Sequence, residues 1–213
     1  MEKSEITKTI QDLESTKDRN IVIIDFSNLV HWQDNLKWEI GVRQLGCLIK
    51  QFSFGKKFLR RFYYGSDYGE KDNNKTLTSW SDTIINKARM NNFKVCTKRV
   101  KYIKDNNYKN GYVKKCDLDV EMAVDLIKEK NNYDKIIIFS GDGDLSYVLR
   151  YLKEKFCKIP YVFAARNHLG RELVDCETKK IIEKILFVED FEGCLNRFKS
   201  KNQKTAKNRA EFE

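Results

Sequence analysis

Two continuous apolar runs mark the chain, Ile21-Val22-Ile23-Ile24 and Ile136-Ile137-Ile138-Phe139. β-Branched and aromatic residues without polar alternation predict strands buried on both faces, as at the centre of a parallel sheet. Each run ends at a carboxylate-bearing turn, Asp25-Phe26-Ser27-Asn28 after the first and Ser140-Gly141-Asp142-Gly143-Asp144 after the second. Helical spacing follows both turns. Trp38, Val42, Leu45, Leu48, Ile49 and Phe52 predict one helix, and Leu145, Val148, Leu149 and Leu152 another.

The remaining pattern predicts strands over 58–64, 93–103, 159–164 and 185–188, and helices near 77–88, 118–130 and 169–176. Ile6, Ile10 and Leu13 describe a short amphipathic helix within residues 1–18. Residues 66–75 and 104–114 are polar, lack periodicity and read as loops. Strands alternating with helices, with neither repeat nor linker, predict a single α/β domain built on a mostly parallel sheet. Its expected boundaries are 19–190, with an N-terminal helical extension over 1–18 and a basic, apolar-poor, solvated tail over 191–213. If the strands ending at Asp25 and Ser140 are neighbours at the switch point of the sheet, their carboxylates converge where open α/β sheets hold ligands.

Composition narrows the class of partner. The 213 residues carry a formal net charge of +10, which favours an anionic partner, either nucleic acid or a membrane surface, over a Lys-rich surface that serves solubility alone. No apolar run approaches the roughly 20 residues of a membrane span, and the polar start, Met1-Glu2-Lys3-Ser4-Glu5, does not resemble a signal peptide. The six cysteines form no C-x-x-C pair and only two histidines could assist them, which argues against structural zinc and for a reducing, cytoplasmic setting. Nothing in the pattern specifies an oligomer or a protein partner.

The helix preceding the second run adds a third acidic element. Leu118, Val120, Met122, Ala123, Val124, Leu126 and Ile127 span a broad apolar arc, and Asp119 falls near its middle in the first turn. A core-facing carboxylate is costly unless a helix N-terminus or a cation compensates it. Asp117 reads as the N-cap, and Asp125 lies at the edge of the arc with a solvated role open to it. Asp142 as a turn residue and Asp144 as a cap would be ordinary uses of those residues. Taken together, Asp25, Asp119, Asp142 and Asp144 form an acidic cluster without His or Cys. All-oxygen donors suit Mg²⁺ or Mn²⁺, the ions that assist in-line phosphodiester displacement.

The segments Ile23-Ile24-Asp25-Phe26-Ser27-Asn28, Asp119-Val120-Glu121-Met122-Ala123-Val124-Asp125 and Ser140-Gly141-Asp142-Gly143-Asp144-Leu145 resemble the three signatures of NYN domains, the PIN-like ribonucleases. Gly170-Arg171-Glu172-Leu173 and Phe187-Val188 resemble that family's closing helix and strand, so the likeness covers roughly residues 19 to 190. The resemblance implies a PIN-like (Rossmannoid) fold with a five- or six-stranded parallel sheet, a divalent metal and endonucleolytic cleavage of RNA. It implies metal-binding roles for Asp25, Asp119 and Asp142, a further acid in Asp144 and a polar orienter in Asn28, with Ser140, Asp117 and Asp125 in the second rank. Many members carry Lys-Gly-x-Asp where this chain has Lys115-Cys116-Asp117-Leu118-Asp119, so either Asp117 or Asp119 could be the site acid, and the Ala123-Val124-Asp125 that follows favours Asp119.

Between Lys94 and Lys115 basic residues far outnumber acids, with tyrosines among them. Lys98, Arg99, Lys101, Lys104, Lys109, Lys114 and Lys115 would neutralise phosphates, and Tyr102, Tyr108 and Tyr112 would stack on unpaired bases. A solvated, aggregation-resistant edge strand is the competing use of such a segment. The tail residues Arg197, Lys199, Lys201, Lys204, Lys207 and Arg209 could add sequence-independent affinity. His31 and Trp32, just past Asn28, could touch substrate, but packing is their expected use. Two other functions fit parts of the pattern. A haloacid-dehalogenase-like phosphatase also pairs a strand-end Asp with a late Gly-Asp motif, but needs a second Asp where this chain has Ser27. A non-catalytic RNA-binding module with a degenerate metal site would need only the basic surface.

Overall fold

The structure, a computed structural model, describes residues 3–14, 19–52, 59–71, 74–105 and 111–197. In chain order the helices are α1 (Lys3–Leu13), α2 (Phe26–Leu36), α3 (Val42–Gln51), α4 (Ser79–Met90), α5 (Asp119–Lys128), α6 (Ser146–Phe156), α7 (Arg171–Thr178) and α8 (Glu192–Leu195). The strands are β1 (Asn20–Asp25), β2 (Leu59–Ser66), β3 (Tyr68–Lys71), β4 (Asn74–Leu77), β5 (Lys94–Arg99), β6 (Lys101–Lys104), β7 (Tyr112–Lys115), β8 (Lys135–Phe139), β9 (Ile159–Ala164) and β10 (Lys184–Phe187).

Six strands form one parallel sheet in the order β10-β9-β8-β1-β2-β5. The chain starts at β1, builds outward through β2 to β5, then returns to β8 and builds the other way. The order therefore reverses between β1 and β8, the two apolar runs of the sequence. Every residue of both strands is buried. Successive side chains of β1 serve opposite layers. Val22 and Ile24 join the core beneath α2, α3 and α4, whereas Ile21 and Ile23 join the core beneath α5, α6 and α7. Burying each such isoleucine contributes roughly 2 kcal/mol. Stacking of Phe139 on Phe163, with ring centroids 4.3 Å apart, ties β8 to β9 on one of these faces.

Five local expectations are corrected. The helix predicted from Trp38 begins only at Val42, and a helix that the pattern did not predict, α2, precedes it and closes where Lys37 adopts the left-handed conformation (φ 60°). The predicted loop over 66–75 contains the antiparallel pair β3 and β4. The strand predicted over 93–103 breaks at Val100, where β5 leaves the sheet, and β6 then pairs with β7 in a separate antiparallel arm. That pairing also brings the end of the predicted loop over 104–114 into a strand. Finally, the apolar arc of α5 is narrower than its composition suggests: Met122 and Leu126 are buried, while Val120, Val124 and Ile127 are exposed.

α1 lies against the strand ends, as its amphipathic pattern predicts. Leu13 is buried, its carbonyl accepts from the Asn20 side chain, and the neighbouring Asp12 carbonyl accepts from Lys135 at 2.7 Å.

Candidate active site

The parallel pairing of β1 with β8 sets Asp25 and Ser140 side by side at the carboxyl edge of the sheet. Asp25 is buried and N-caps α2. One carboxylate oxygen accepts from the Asn28 backbone N–H at 3.1 Å, and the other accepts from the Ser140 hydroxyl at 3.0 Å. Ser140 Oγ also accepts from the Asp142 N–H at 3.2 Å, and Asn28 Oδ1 accepts from the Gly141 N–H at 3.2 Å. Ser140 and Asn28 thus lock the two strand-end loops together. Asp142 repeats the capping motif on a smaller scale, its carboxylate accepting from the Asp144 N–H at 3.0 Å. Gly141 has no room for a side chain, since a Cβ there would overlap the His168 carbonyl.

Across the opening, the first turn of α5 brings its own pair. The Asp117 carboxylate accepts from the Asp119 N–H at 3.0 Å. Asp25, Asn28, Asp117, Asp119, Asp142 and Asp144 line one cleft of about 320 Å³, together with Ser27, His31, Lys115 and Cys116. The structure therefore places both candidate acids of the 117–119 segment at the same opening, and their environments differ. Burial pushes the Asp119 carboxyl up, the charge of Asp142 and the hydrogen-bonded Asp117 add to it, and it reaches about 7. Hydrogen bonds from Asp119 hold Asp117 below the usual carboxylate range. Asp25 is raised to about 6, chiefly by burial, against the opposing hydrogen bonds from Asn28 and Ser140. Like charges in a poorly hydrated cleft account for these rises.

An oxygen-only donor set in which Asp25 and Asp119 hold protons near neutrality fits a hard divalent cation, which would supply the missing positive charge. Among the described residues, no three carboxylate, imidazole or thiol groups stand gathered as a metal's ligands would. Asp125 does not line the cleft. Its carboxylate accepts from the Tyr63 hydroxyl at 2.7 Å and ties α5 to β2.

The basic segment is divided by the β6–β7 arm. Lys98, Arg99, Lys101 and Lys115 line a groove of about 400 Å³ that shares Lys115, Cys116 and Asp117 with the acidic cleft. Not all of these cations are unengaged. Lys98 bonds Glu121 at 2.8 Å, Lys114 bonds Asp67 at 2.7 Å, and Tyr102 donates to Asp67. Lys104 and Tyr112 are exposed on the arm, whereas Tyr108 and Lys109 lie outside the described residues. Arg197 pairs with Glu39, and the tail lysines lie outside the described residues. Trp32 packs in the core as expected, but His31 is exposed in the cleft. Its position one helical turn beyond Asn28 was the available signal.

Sequence reasoning also missed a second cavity beside the cleft, lined by Val30, Trp80 and Val100 among others. Trp80 has the helical spacing of the apolar stripe of α4, with Ile84, Ile85 and Ala88. It lies in that helix's first turn and is 53% exposed.

Comparisons with known proteins agree with this architecture. A protein of unknown function from Vibrio parahaemolyticus, VPA0982, superposes with a TM-score of 0.60 over 82% of this chain and 94% of that one, at 18% identity, and so shares the fold. The low amplitude and bright protein LabA of Synechococcus elongatus is 33% identical over 81 residues, which span 38% of this chain and 43% of that relative. The NYN domain profile matches residues 19–185. The chain belongs to the NYN-domain family, whose fold is that of PIN-like nucleases.

Proposed function

We propose that the protein is a metal-dependent endoribonuclease that hydrolyses single-stranded or structured RNA at the acidic cleft. The observation that carries this reading is the meeting of Asp25, Asp119, Asp142 and Asp144 in one cleft at the switch point of a nuclease-family sheet. Asp25, Asp119 and Asp142 would hold Mg²⁺ or Mn²⁺. Such an ion, when bound, lowers the pKa of the attacking water and offsets charge on the phosphate.

The chain's own groups do the positioning. Asn28 and Ser140 hold both oxygens of Asp25 in one orientation, so the carboxylate needs no reorganisation when substrate arrives. Asp144, exposed at the rim, orients the attacking water. Lys115, exposed where the cleft meets the basic groove, holds the scissile phosphate, and Lys101 and Arg99 carry the strand away along that groove. The cytoplasm is the proposed setting, since all six thiols are unpaired and suit a reducing compartment.

A second reading, an RNA-binding module without cleavage, draws on the acids not being gathered as a ligand set. End-labelled single-stranded RNA separates the two. The nuclease reading expects internal cuts with Mn²⁺ that vanish in EDTA and in Asp142→Asn. A salt-sensitive mobility shift without any cuts would favour the binding module. Hydrolysis of a generic phosphomonoester instead would favour a phosphatase.

A further inference from the structure

We propose that the cavity beside the acidic cleft is a subsite for one unpaired nucleobase of the bound RNA strand, adjacent to the phosphate at the acids. The inference deepens the nuclease reading and rests on it only in taking RNA as the strand that crosses the cleft. The cavity measures about 570 Å³, within the roughly 300–1,000 Å³ typical of small-ligand sites. One wall is apolar and aromatic, formed by Trp80 from the first turn of α4, Val30 from α2, and Val100 where β5 ends.

Trp80 and Val30 are only partly taken up in packing. α4 already buries Ile84, Ile85 and Ala88, whereas Trp80 stays 53% exposed and Val30 37%. A large ring left open to solvent inside a concavity offers a stacking face, which every base can use. Another part of the wall is polar, with Asp67 and Lys114. Burial pushes the Asp67 carboxyl up, but Lys114 and Tyr102 outweigh burial and hold it below its usual range. It therefore stays ionised beside its lysine, and the wall offers both an acceptor and a cation to a base edge. An apolar face with one charged edge matches a nucleobase better than an aliphatic chain.

Continuity with the acidic cleft selects the occupant. Ser27, His31, Lys115 and Cys116 line both spaces. Lys115 also lines the basic groove on the other side of the arm, so one strand can place its phosphate at the acids, a neighbouring base in the cavity and its backbone along the groove.

The test uses the full chain and a short, fluorescently labelled single-stranded RNA in EDTA, where binding is read without cleavage. Trp80→Ala should weaken binding roughly 5- to 100-fold, the range for losing one base–aromatic stack, while Trp80→Phe should restore most of it. A single abasic nucleotide moved along the RNA should lower wild-type affinity at one position, and that position should disappear in Trp80→Ala. Melting temperatures matching the wild type show that the variants fold. Wild-type RNA affinity in Trp80→Ala, or equal effects of abasic sites at every position, overturns the subsite. Parallel samples with Mn²⁺ separate the two claims. Cutting with no dependence of affinity on Trp80 removes the subsite and leaves the nuclease. Trp80-dependent binding without cutting keeps the subsite and removes the nuclease. Absence of any RNA binding removes both.

Discussion

Removing the charge of Asp119 should make the metal-free protein more stable at alkaline pH. This acid is half-buried, faces Asp142 and bonds Asp117, and its pKa is raised from the usual 3.8 to about 7. Between about pH 4 and pH 7 the folded chain therefore keeps a proton that the unfolded chain has lost, and stability falls as pH rises across that window. Taken at face value, the rise corresponds to roughly 4 kcal/mol at pH 8. Water reaching the exposed half of the side chain screens much of this, so a cost of about 1–2 kcal/mol is expected. Asp119→Asn removes the charge, and its amide can keep the hydrogen bond that the protonated acid gives Asp117. Thermal unfolding in EDTA near pH 8 should show the variant melting about 2–8 °C higher, with the difference shrinking by more than half near pH 5 and closing near pH 4. Mn²⁺ should raise the wild-type melting temperature and do little for the variant. A variant less stable than wild type near pH 8, or equally altered at each pH, would refute this account of the cleft.

Other consequences follow from the same geometry. Gly141→Ala drives a methyl group into the His168 carbonyl, and should cost about 3 kcal/mol or more in chemical denaturation; wild-type stability would mean that the two loops do not touch. Tyr63→Phe leaves Asp125 without its 2.7 Å partner and should cost about 1–2 kcal/mol, with the cleavage rate nearly unchanged because Asp125 lies outside the cleft. Lys115→Ala should weaken RNA binding across all sequences and lower the salt slope by roughly 0.7; an unchanged slope would remove Lys115 from the phosphate path.

The centre of the fold and the acids attached to it were legible because their signals are local and physically constrained. Unbroken runs at 21–24 and 136–139 have few alternatives to central parallel strands, and a strand's end fixes where Asp25 and Ser140 emerge. Tertiary choices were not legible. Helix α2 was not legible, because it starts inside the capped turn after Asp25 and nothing in Lys37 announces the left-handed residue that ends it. The break at Val100 leaves β-propensity intact while changing the sheet to which the residues belong. On α5 the apolar arc exceeded half a turn, and periodicity cannot tell which part of so broad an arc meets the core; Val120, Val124 and Ile127 were left outside. The cavity at Trp80 escaped for a related reason. The residue has the spacing of a core position, but it sits at the end of its helix, beyond the layer that the helix covers.

The pair Asp119→Asn and Asp125→Asn tests the central claim most directly. Both acids lie on α5, yet Asp119 faces Asp142 across the cleft and Asp125 bonds Tyr63 away from it. Single-turnover cleavage of single-stranded RNA with Mn²⁺ should fall at least about a hundredfold in Asp119→Asn and only a few-fold in Asp125→Asn. Equal losses in the two variants, or RNA left intact by the wild-type protein with Mn²⁺, would contradict a metal-dependent nuclease built on this cleft.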